Sequence, residues 1–317
     1  MSPRQIAGRS FYLLFHAPAG AMRRFFADGG PFEQHRTEMG RRAMEAAAFD
    51  LPPPSVDAKA EPLPVHLLTG TRFWYQTVFC LHSFSTQAGR PLAPAIYDDG
   101  SLTPKQGEVL ARLFPLTRFI SRKETVAKLD RLLPRTHFPF LRERWDNYPN
   151  LRKLIDPHLD STGWKLVLDS DLLFFHRPDL LTTWLDLPTT PLHAIDVQRS
   201  YGYTDALLAS LVPHPLADRV NVGLCGLCSE ALDWSHLELL SRTLIERERT
   251  SYYLEQALVA LFLAGRPCVA APYAEYTTLP NEEEACARRA VMHHYVAGSK
   301  RWYFQQNWRH CLPVANA

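Results

Sequence analysis

The sequence predicts an α/β fold, a mostly parallel sheet flanked by helices. Three observations predict it. From Val65 onward, short apolar segments alternate with helix-like segments, the pattern of strand–helix–strand units. Several of the apolar segments end in Thr or Asp, and parallel α/β sheets bind ligands at such carboxyl ends. The run "KLVLDSDLLFFHRP", residues 165–178, is almost continuously apolar, as suits a strand covered on both faces.

Composition bounds the function. The chain has 317 residues, 46% hydrophobic and 21% charged, which is ordinary globular material. A formal net charge of +2 with no basic block argues against nucleic acid as a partner. No apolar stretch reaches the roughly 18 residues a membrane span needs, and "RSFYLLFHAPAG" has too short an apolar core for a signal peptide. Six cysteines do not make a disulfide scaffold, and the lack of a signal peptide leads to the expectation of a cytoplasmic location. Cys225 and Cys228 form a C-x-x-C, but the other cysteines are isolated. A structural zinc site wants a second close pair, so these two read as core thiols.

Along the chain, residues 1–64 read as a helical N-terminal extension and linker. "GRRAMEAAAFD" is its helix and "LPPPSVDAKAEPLP" its Pro-rich link. In "FYLLFHAPAGAMRRFF", residues 11–26, aromatics stand beside Arg23 and Arg24. This segment either packs on the main domain or makes peripheral contact with a membrane face. Residues 65–317 form the main domain. "VHLLTG" is a strand ending in Thr69, followed by an apolar helix over 73–84. "LAPAIYDD" is a strand ending in Asp98 and Asp99. "TPKQ" is a capping box with proline at the first helical position, and its helix runs to Phe114. "TRFI" is a third strand, "KETVAKLDRLL" a helix, and "YPNLRKLIDPHL" another helix, carrying Lys153. "TPLHAID" is a strand ending at Asp196, and "VNVGLCGL" a strand opening with Asn221 and Gly223. In "SYYLEQALVALFLAG", Leu254, Ala257, Leu258, Leu261 and Phe262 mark one helix face. Glu255 and Gln256 fall off that face, as solvated surface or as cleft-lining groups.

Two segments carry chemistry. Asp169 and Asp171 sit inside the apolar run, where unpaired carboxylates cost several kcal/mol and repel one another. On an extended strand residues i and i+2 share a side, so both could hold one divalent cation. The other reading is a solvated turn between two strands, built by Ser170 and the aspartates. In "MHHYVAGSKRWYF", Lys300 follows His294 by six residues and Trp302 by eight. An imidazole would complete a mixed oxygen–nitrogen site, and the lysine would place positive charge beside a metal-bound pyrophosphate. A polar surface loop anchored by Trp302 is the alternative.

As an ordered set these features resemble nucleotide-sugar glycosyltransferases of the GT-A fold, most closely the retaining, glycogenin-like class known as family 8. The resemblance spans residues 65–305. It rests on the D-x-D of "LVLDSDLLFF", the Asn-x-Gly of "NVGL", the acidic-Gln pair of "LEQA", and the late His–Lys–Trp series. It implies a metal-dependent enzyme that moves a hexose from a nucleotide-sugar, a UDP-sugar, to a hydroxyl of a carbohydrate, glycolipid or protein. By the same resemblance, Asp169, Asp171 and His294 would hold Mn²⁺ or Mg²⁺, with Asp169 also near the donor ribose. Lys300 would touch the diphosphate, and Lys153 stands where the family has a donor-binding arginine. Asn221 and Gln256 would line the sugar and reaction face, with Asp196 as a further catalytic candidate. Thr69, Asp98 and Asp99 would frame the nucleotide.

The sequence also departs from the family. Ala297 stands where the family has glycine, Arg301 where it has proline, and Ala257 where it has a further acid. "YDDGSLT" is similar to a feature of inverting family-2 enzymes, which bears on the stereochemical outcome. Two rival readings are a haloacid-dehalogenase-type phosphohydrolase and a non-catalytic sugar- or metal-binding module. The first wants Gly-Thr after its second aspartate, whereas Leu172 and Leu173 follow Asp171.

Overall fold

The alternation of strand and helix is realised in a computed structural model, which describes residues 30–312. The described chain begins with α1 (Gly30–Asp50), then β1 (Leu63–Thr69), α2 (Trp74–Ala88), β2 (Leu92–Asp98), α3 (Pro104–Leu113) and β3 (Arg118–Ile120). Local chemistry sets these boundaries. Thr103 accepts from the backbone N–H of Gln106, and the Gln106 side chain accepts from Thr103 N, with Pro104 opening the helix. Ser121 and Glu124 repeat the box at the start of α4 (Arg122–Leu132). Next come α5 (Pro139–Asn147), α6 (Pro149–Ile155), β4 (Trp164–Leu168), β5 (Leu172–Phe174), α7 (Asp179–Asp186) and β6 (Leu192–Ile195). After these come α8 (Asp205–Leu211), β7 (Val220–Cys228), α9 (Trp234–Glu248), α10 (Leu254–Leu263), β8 (Val269–Ala271) and β9 (Tyr276–Thr278). The described part ends with α11 (Glu282–Ala287), β10 (Met292–His294) and α12 (Lys300–Gln305).

The main sheet has the order β3-β2-β1-β4-β7-β6-β8. It is parallel except at β7, which runs against β4 and β6. The carboxyl ends of β1, β2, β4 and β6 therefore open on one edge, where the candidate residues cluster. A second sheet, β5-β10-β9, has β10 antiparallel to β5 and parallel to β9.

One expectation is corrected. The run over 165–178 is not a single strand. It breaks at Asp169–Asp171, and its two halves, β4 and β5, belong to different sheets. Asp169 makes the last ladder contact, its N–H donating to Gly223 O at 2.7 Å. Ser170 and Asp171 then form a turn. The apolar stretches on either side are buried, which is why the pattern looked continuous. The turn itself is half-buried rather than solvated.

Helix α1 shares the core of the sheet. Met44, Ala48 and Leu51 are buried in one cluster with Trp74 and Phe79. The Arg112 guanidinium ties down the helix end, donating to Phe49 O at 2.8 Å and Leu51 O at 2.9 Å. Residues 11–26, on which the membrane-contact reading rests, lie outside the described residues. No helix among the described residues is long and apolar enough to cross a membrane. Cys225 is buried on β7 and Cys228 is half-buried at its end, and both are free thiols.

Helix α1 approaches α12 through a glycine. A Cβ on Gly40 would stand 2.1 Å from Phe304 O, so the backbones touch only because it is absent. Gly40→Ala should therefore destabilise the chain by about 1–3 kcal/mol. Gly107, inside α3, has nothing within 4 Å of a built Cβ. Gly107→Ala should be neutral or stabilising by up to about 1 kcal/mol. Urea unfolding of the two variants measures this, and equal effects would contradict the packing.

Candidate functional site

At the carboxyl edge of the sheet lies a cavity of about 600 Å³. Thr69, Asp99, Lys153, Asp169, Asp171 and Lys300 line it. So do Asp196, Asn221, Gln256 and His294. Asp98 does not. Its Oδ1 accepts from the N–H groups of Gly100 at 2.9 Å and Leu102 at 3.1 Å, so its carboxylate caps the turn after β2.

Three residues form a compact donor set. The turn between β4 and β5 carries Asp169 and Asp171, and β10 carries His294, paired in register with Leu172. One ligand atom from each lies within 4.8 Å of the others. His294 Nε2 is 3.5 Å from Asp169 Oδ2 and 3.3 Å from Asp171 Oδ1. The His294 ring is buried. Its Nδ1 has no hydrogen-bond partner among the described residues, and Nε2 has only these two carboxylate oxygens, outside good hydrogen-bond geometry. An orphaned buried nitrogen costs about 1–3 kcal/mol. Two carboxylates and an imidazole facing one point therefore fit a divalent cation. Gly223 makes room for the ring, since a Cβ there would stand 2.2 Å from His294 Cε1. His293, the neighbour on β10, faces away from this set. Its Nε2 meets Glu284 Oε1 at 3.0 Å and its Nδ1 meets Tyr295 Oη at 2.9 Å.

Two lysines bracket the carboxylates. Lys153 Nζ is 2.7 Å from Asp169 Oδ1 and 3.5 Å from Glu255 Oε2. Lys300 Nζ is 3.1 Å from Asp171 Oδ2. Burial alone would raise both aspartates. The Lys153 ammonium and His294 instead hold Asp169 well below the usual carboxylate range, and His294 and Lys300 lower Asp171. Burial opposes a charge on His294, but its two carboxylate neighbours overcome that and raise it to about 9. Burial likewise opposes a charge on Lys153, and Asp169 and Glu255 outweigh it and raise the ammonium above its ordinary value. Glu255 goes the other way. Burial, with repulsion from Asp169, pushes it up to about 8 against the pull of Lys153.

A second cluster is built from amides. Asp196 Oδ2 accepts from Asn221 Nδ2 and Gln256 Nε2, each at 3.2 Å. Gln256 Nε2 also donates to Ser200 O at 2.9 Å, and Asn221 Oδ1 accepts from Gly223 N at 2.9 Å. Glu255 and Gln256 are both buried and both line the cavity, which resolves the open reading of that pair as cleft-facing.

The residues expected to frame a nucleotide rest on short contacts. Thr69 Oγ1 accepts from Thr77 Oγ1 at 2.9 Å. The Asp99 carboxylate is pressed over Gly70, where a Cβ would stand 2.1 Å from Oδ1. Ala297, in the turn before Lys300, has a φ of 45°, in the left-handed region. That region favours glycine, so in this chain alanine carries the strain. Arg301 lays its guanidinium 4.1 Å from the ring centroid of Trp302, and Trp302 packs on the core.

Sequence reasoning missed the approach of Lys153 to Glu255 at 3.5 Å and the steric roles of Gly70 and Gly223. The signal for the glycines was present in their places, directly after β1 and two residues past Asn221.

No family model matches the chain, and no curated protein matches it. Among solved structures, the chain is similar to mouse xyloside xylosyltransferase 1 in its apo form, at 15% identity and TM-score 0.49, over 74% of this chain and 98% of that one. It is similar to the galactosyltransferase LgtC in complex with donor and acceptor sugar analogs, at 14% identity and TM-score 0.48, over 80% and 97%. It is also similar to core-mannan synthase A from Aspergillus fumigatus in its Mn/GDP form, at 9% identity and TM-score 0.43, over 67% and 72%.

Glu255 supplies a test of this electrostatic arrangement. Its folded value, about 8, lies above the ordinary 4.5. Between the two, the folded chain holds a proton that the unfolded chain has released, so this group's contribution to stability falls as pH rises. Glu255→Gln removes the ionisation. The stability of the variant relative to the parent should therefore climb from about pH 5 to about pH 9 in urea unfolding. A difference that does not change with pH would contradict the burial and pairing of this carboxyl.

Proposed function

We propose that this chain is a metal-dependent glycosyltransferase that moves a hexose from a UDP-sugar to an acceptor hydroxyl with retention of configuration. The observation that carries the reading is the convergence of Asp169, Asp171 and His294 at the cavity, with Lys300 against Asp171 and Lys153 against Asp169. A Mn²⁺ or Mg²⁺ ion held by those three residues supplies Lewis-acid neutralisation of a diphosphate.

The chain's own residues do the rest. Lys300 is placed to meet the diphosphate oxygens, which gain negative charge as the bond from sugar C1 to oxygen breaks. Lys153 fixes the orientation of Asp169 and keeps that carboxylate ionised. Asp196 orients the amides of Asn221 and Gln256, which are neutral groups suited to hydroxyls on the sugar ring. The carboxylate of Asp196 is engaged by two amides, and burial holds Glu255 toward its protonated form, so neither is set up as a covalent nucleophile. This favours same-face substitution. The acceptor oxygen bonds to C1 as the phosphate oxygen leaves, and the hydroxyl proton passes to that phosphate. Holding acceptor and donor in register supplies much of the rate. The UDP donor and the acceptor class (carbohydrate, glycolipid or protein hydroxyl) come from the sequence resemblance.

The experiment is to titrate UDP with and without Mn²⁺, and to assay transfer from UDP-hexoses. Asp171→Asn and His294→Ala should each weaken Mn²⁺-dependent UDP binding by about 10–100-fold or more. His293→Ala should leave that binding in place and lower stability instead, because it strips partners from Glu284 and Tyr295. Parent-like UDP–Mn²⁺ binding in Asp171→Asn would overturn the site. Metal-dependent binding with no turnover on any UDP-hexose or acceptor class would support a binding module instead. Where transfer is measured, Lys300→Ala should lower kcat about tenfold or more, with Lys300→Arg recovering only part. An unchanged kcat would remove Lys300 from the reaction.

A further inference from the structure

A second cavity, of about 430 Å³, shares no lining residue with the first. Its size falls in the range of small-molecule sites, about 300–1,000 Å³. One wall is apolar and rigid. Phe174 and Phe175 lie at the end of β5, and Phe174 stacks on Phe84 with ring centroids 4.6 Å apart. Pro52 faces the cavity from the link after α1, fixed by His82 Nε2, which donates to Pro52 O at 3.1 Å. The polar lining is one-sided. It includes Arg288, His82, His176 and His310, and no aspartate or glutamate among the described residues.

Arg288 is the centre of this asymmetry. Its neighbour Arg289 takes the nearby acids, pairing with Glu283 at 2.9 Å and Glu284 at 3.3 Å. Arg288 has no ion pair among the described residues. Its guanidinium makes one weak hydrogen bond, from Nη1 to Ala285 O at 3.5 Å. The Arg288 charge reaches His310 across the lining, where it adds to burial in holding that imidazole below its ordinary value. The backbone at Arg288 is held in the left-handed region, with φ 51°, and its carbonyl accepts from His176 Nε2 at 2.8 Å. A cationic fork is thus held beside an aromatic wall with no anion to meet it among the described residues.

We propose that this cavity is a binding site for a small organic anion, a carboxylate or phosphate group carried on an apolar body. The anionic group takes the donors of Arg288 and His310. The body lies against Phe174, Phe175 and Pro52. The site is independent of the glycosyl-transfer reading.

The test is to titrate benzoate and phenyl phosphate into the full chain by calorimetry, with inorganic phosphate as the control for charge alone. Which of the two aromatic probes binds more tightly identifies the anionic group. At least one should bind about tenfold or more tightly than inorganic phosphate, because the wall contributes. Arg288→Gly keeps the left-handed backbone comfortable while removing the fork, and should weaken that binding about tenfold or more. Thr86→Trp fills the cavity from its exposed rim on α2 and should abolish binding while Tm stays near the parent value. The proposal is overturned if neither aromatic probe binds at millimolar concentration, if inorganic phosphate binds as tightly as both, or if binding survives Arg288→Gly.

Discussion

The architecture of the site depends on one problem of electrostatics. Two carboxylates stand together at the edge of a sheet, partly shielded from water, where neither is tolerable alone. The chain answers with three cationic or protonatable groups from three other places. Lys153 comes from α6, His294 from β10 and Lys300 from the start of α12. Each compensating group sits on an element whose position makes sense only relative to the turn between β4 and β5. The second sheet exists at this point because the chain leaves the first sheet at Asp169 and re-pairs at Leu172 with the strand that carries His294.

Steric exclusion completes what charge begins. Gly223 lies on the one antiparallel strand of the main sheet, and its missing Cβ is the space His294 occupies. Gly70 gives Asp99 its place in the same manner. Both glycines lie beside polar residues of the cavity, and neither has the positive φ for which a sequence reader usually looks. The strain is instead on Ala297, three residues after His294, where a backbone that favours glycine is held by an alanine.

The fold was legible wherever local chemistry dictates structure. The Thr103–Gln106 capping box, the strands ending at Thr69 and Asp98, and the helix α10 appear where the residue pattern puts them, though α10 is buried nearly all round rather than along one stripe. The broken strand was not legible, because burial on both sides of Asp169 and Asp171 gives the same residue pattern as an unbroken strand. The reversal of β7 could not be read either, since a fully buried strand looks alike in either direction. At the site, His294 was distinguishable from His293 by its spacing to Lys300. Glu255 was ambiguous because one turn of helix cannot say which polar residue faces a cleft. Asp98 was grouped with Asp99 on position alone. Its side chain is two residues from the N–H it caps, a local use that competes with any ligand.

The central claim is that the turn between the two sheets is a metal and diphosphate site. The most direct measurement is anomalous diffraction at the manganese edge from crystals grown with Mn²⁺ and a nucleoside diphosphate. The account predicts one strong peak bounded by Asp169, Asp171 and His294, with diphosphate density reaching Lys300. Diphosphate bound elsewhere, or a cavity in which Lys153, His294 and Lys300 alone neutralise the two carboxylates and no manganese peak appears, would contradict it.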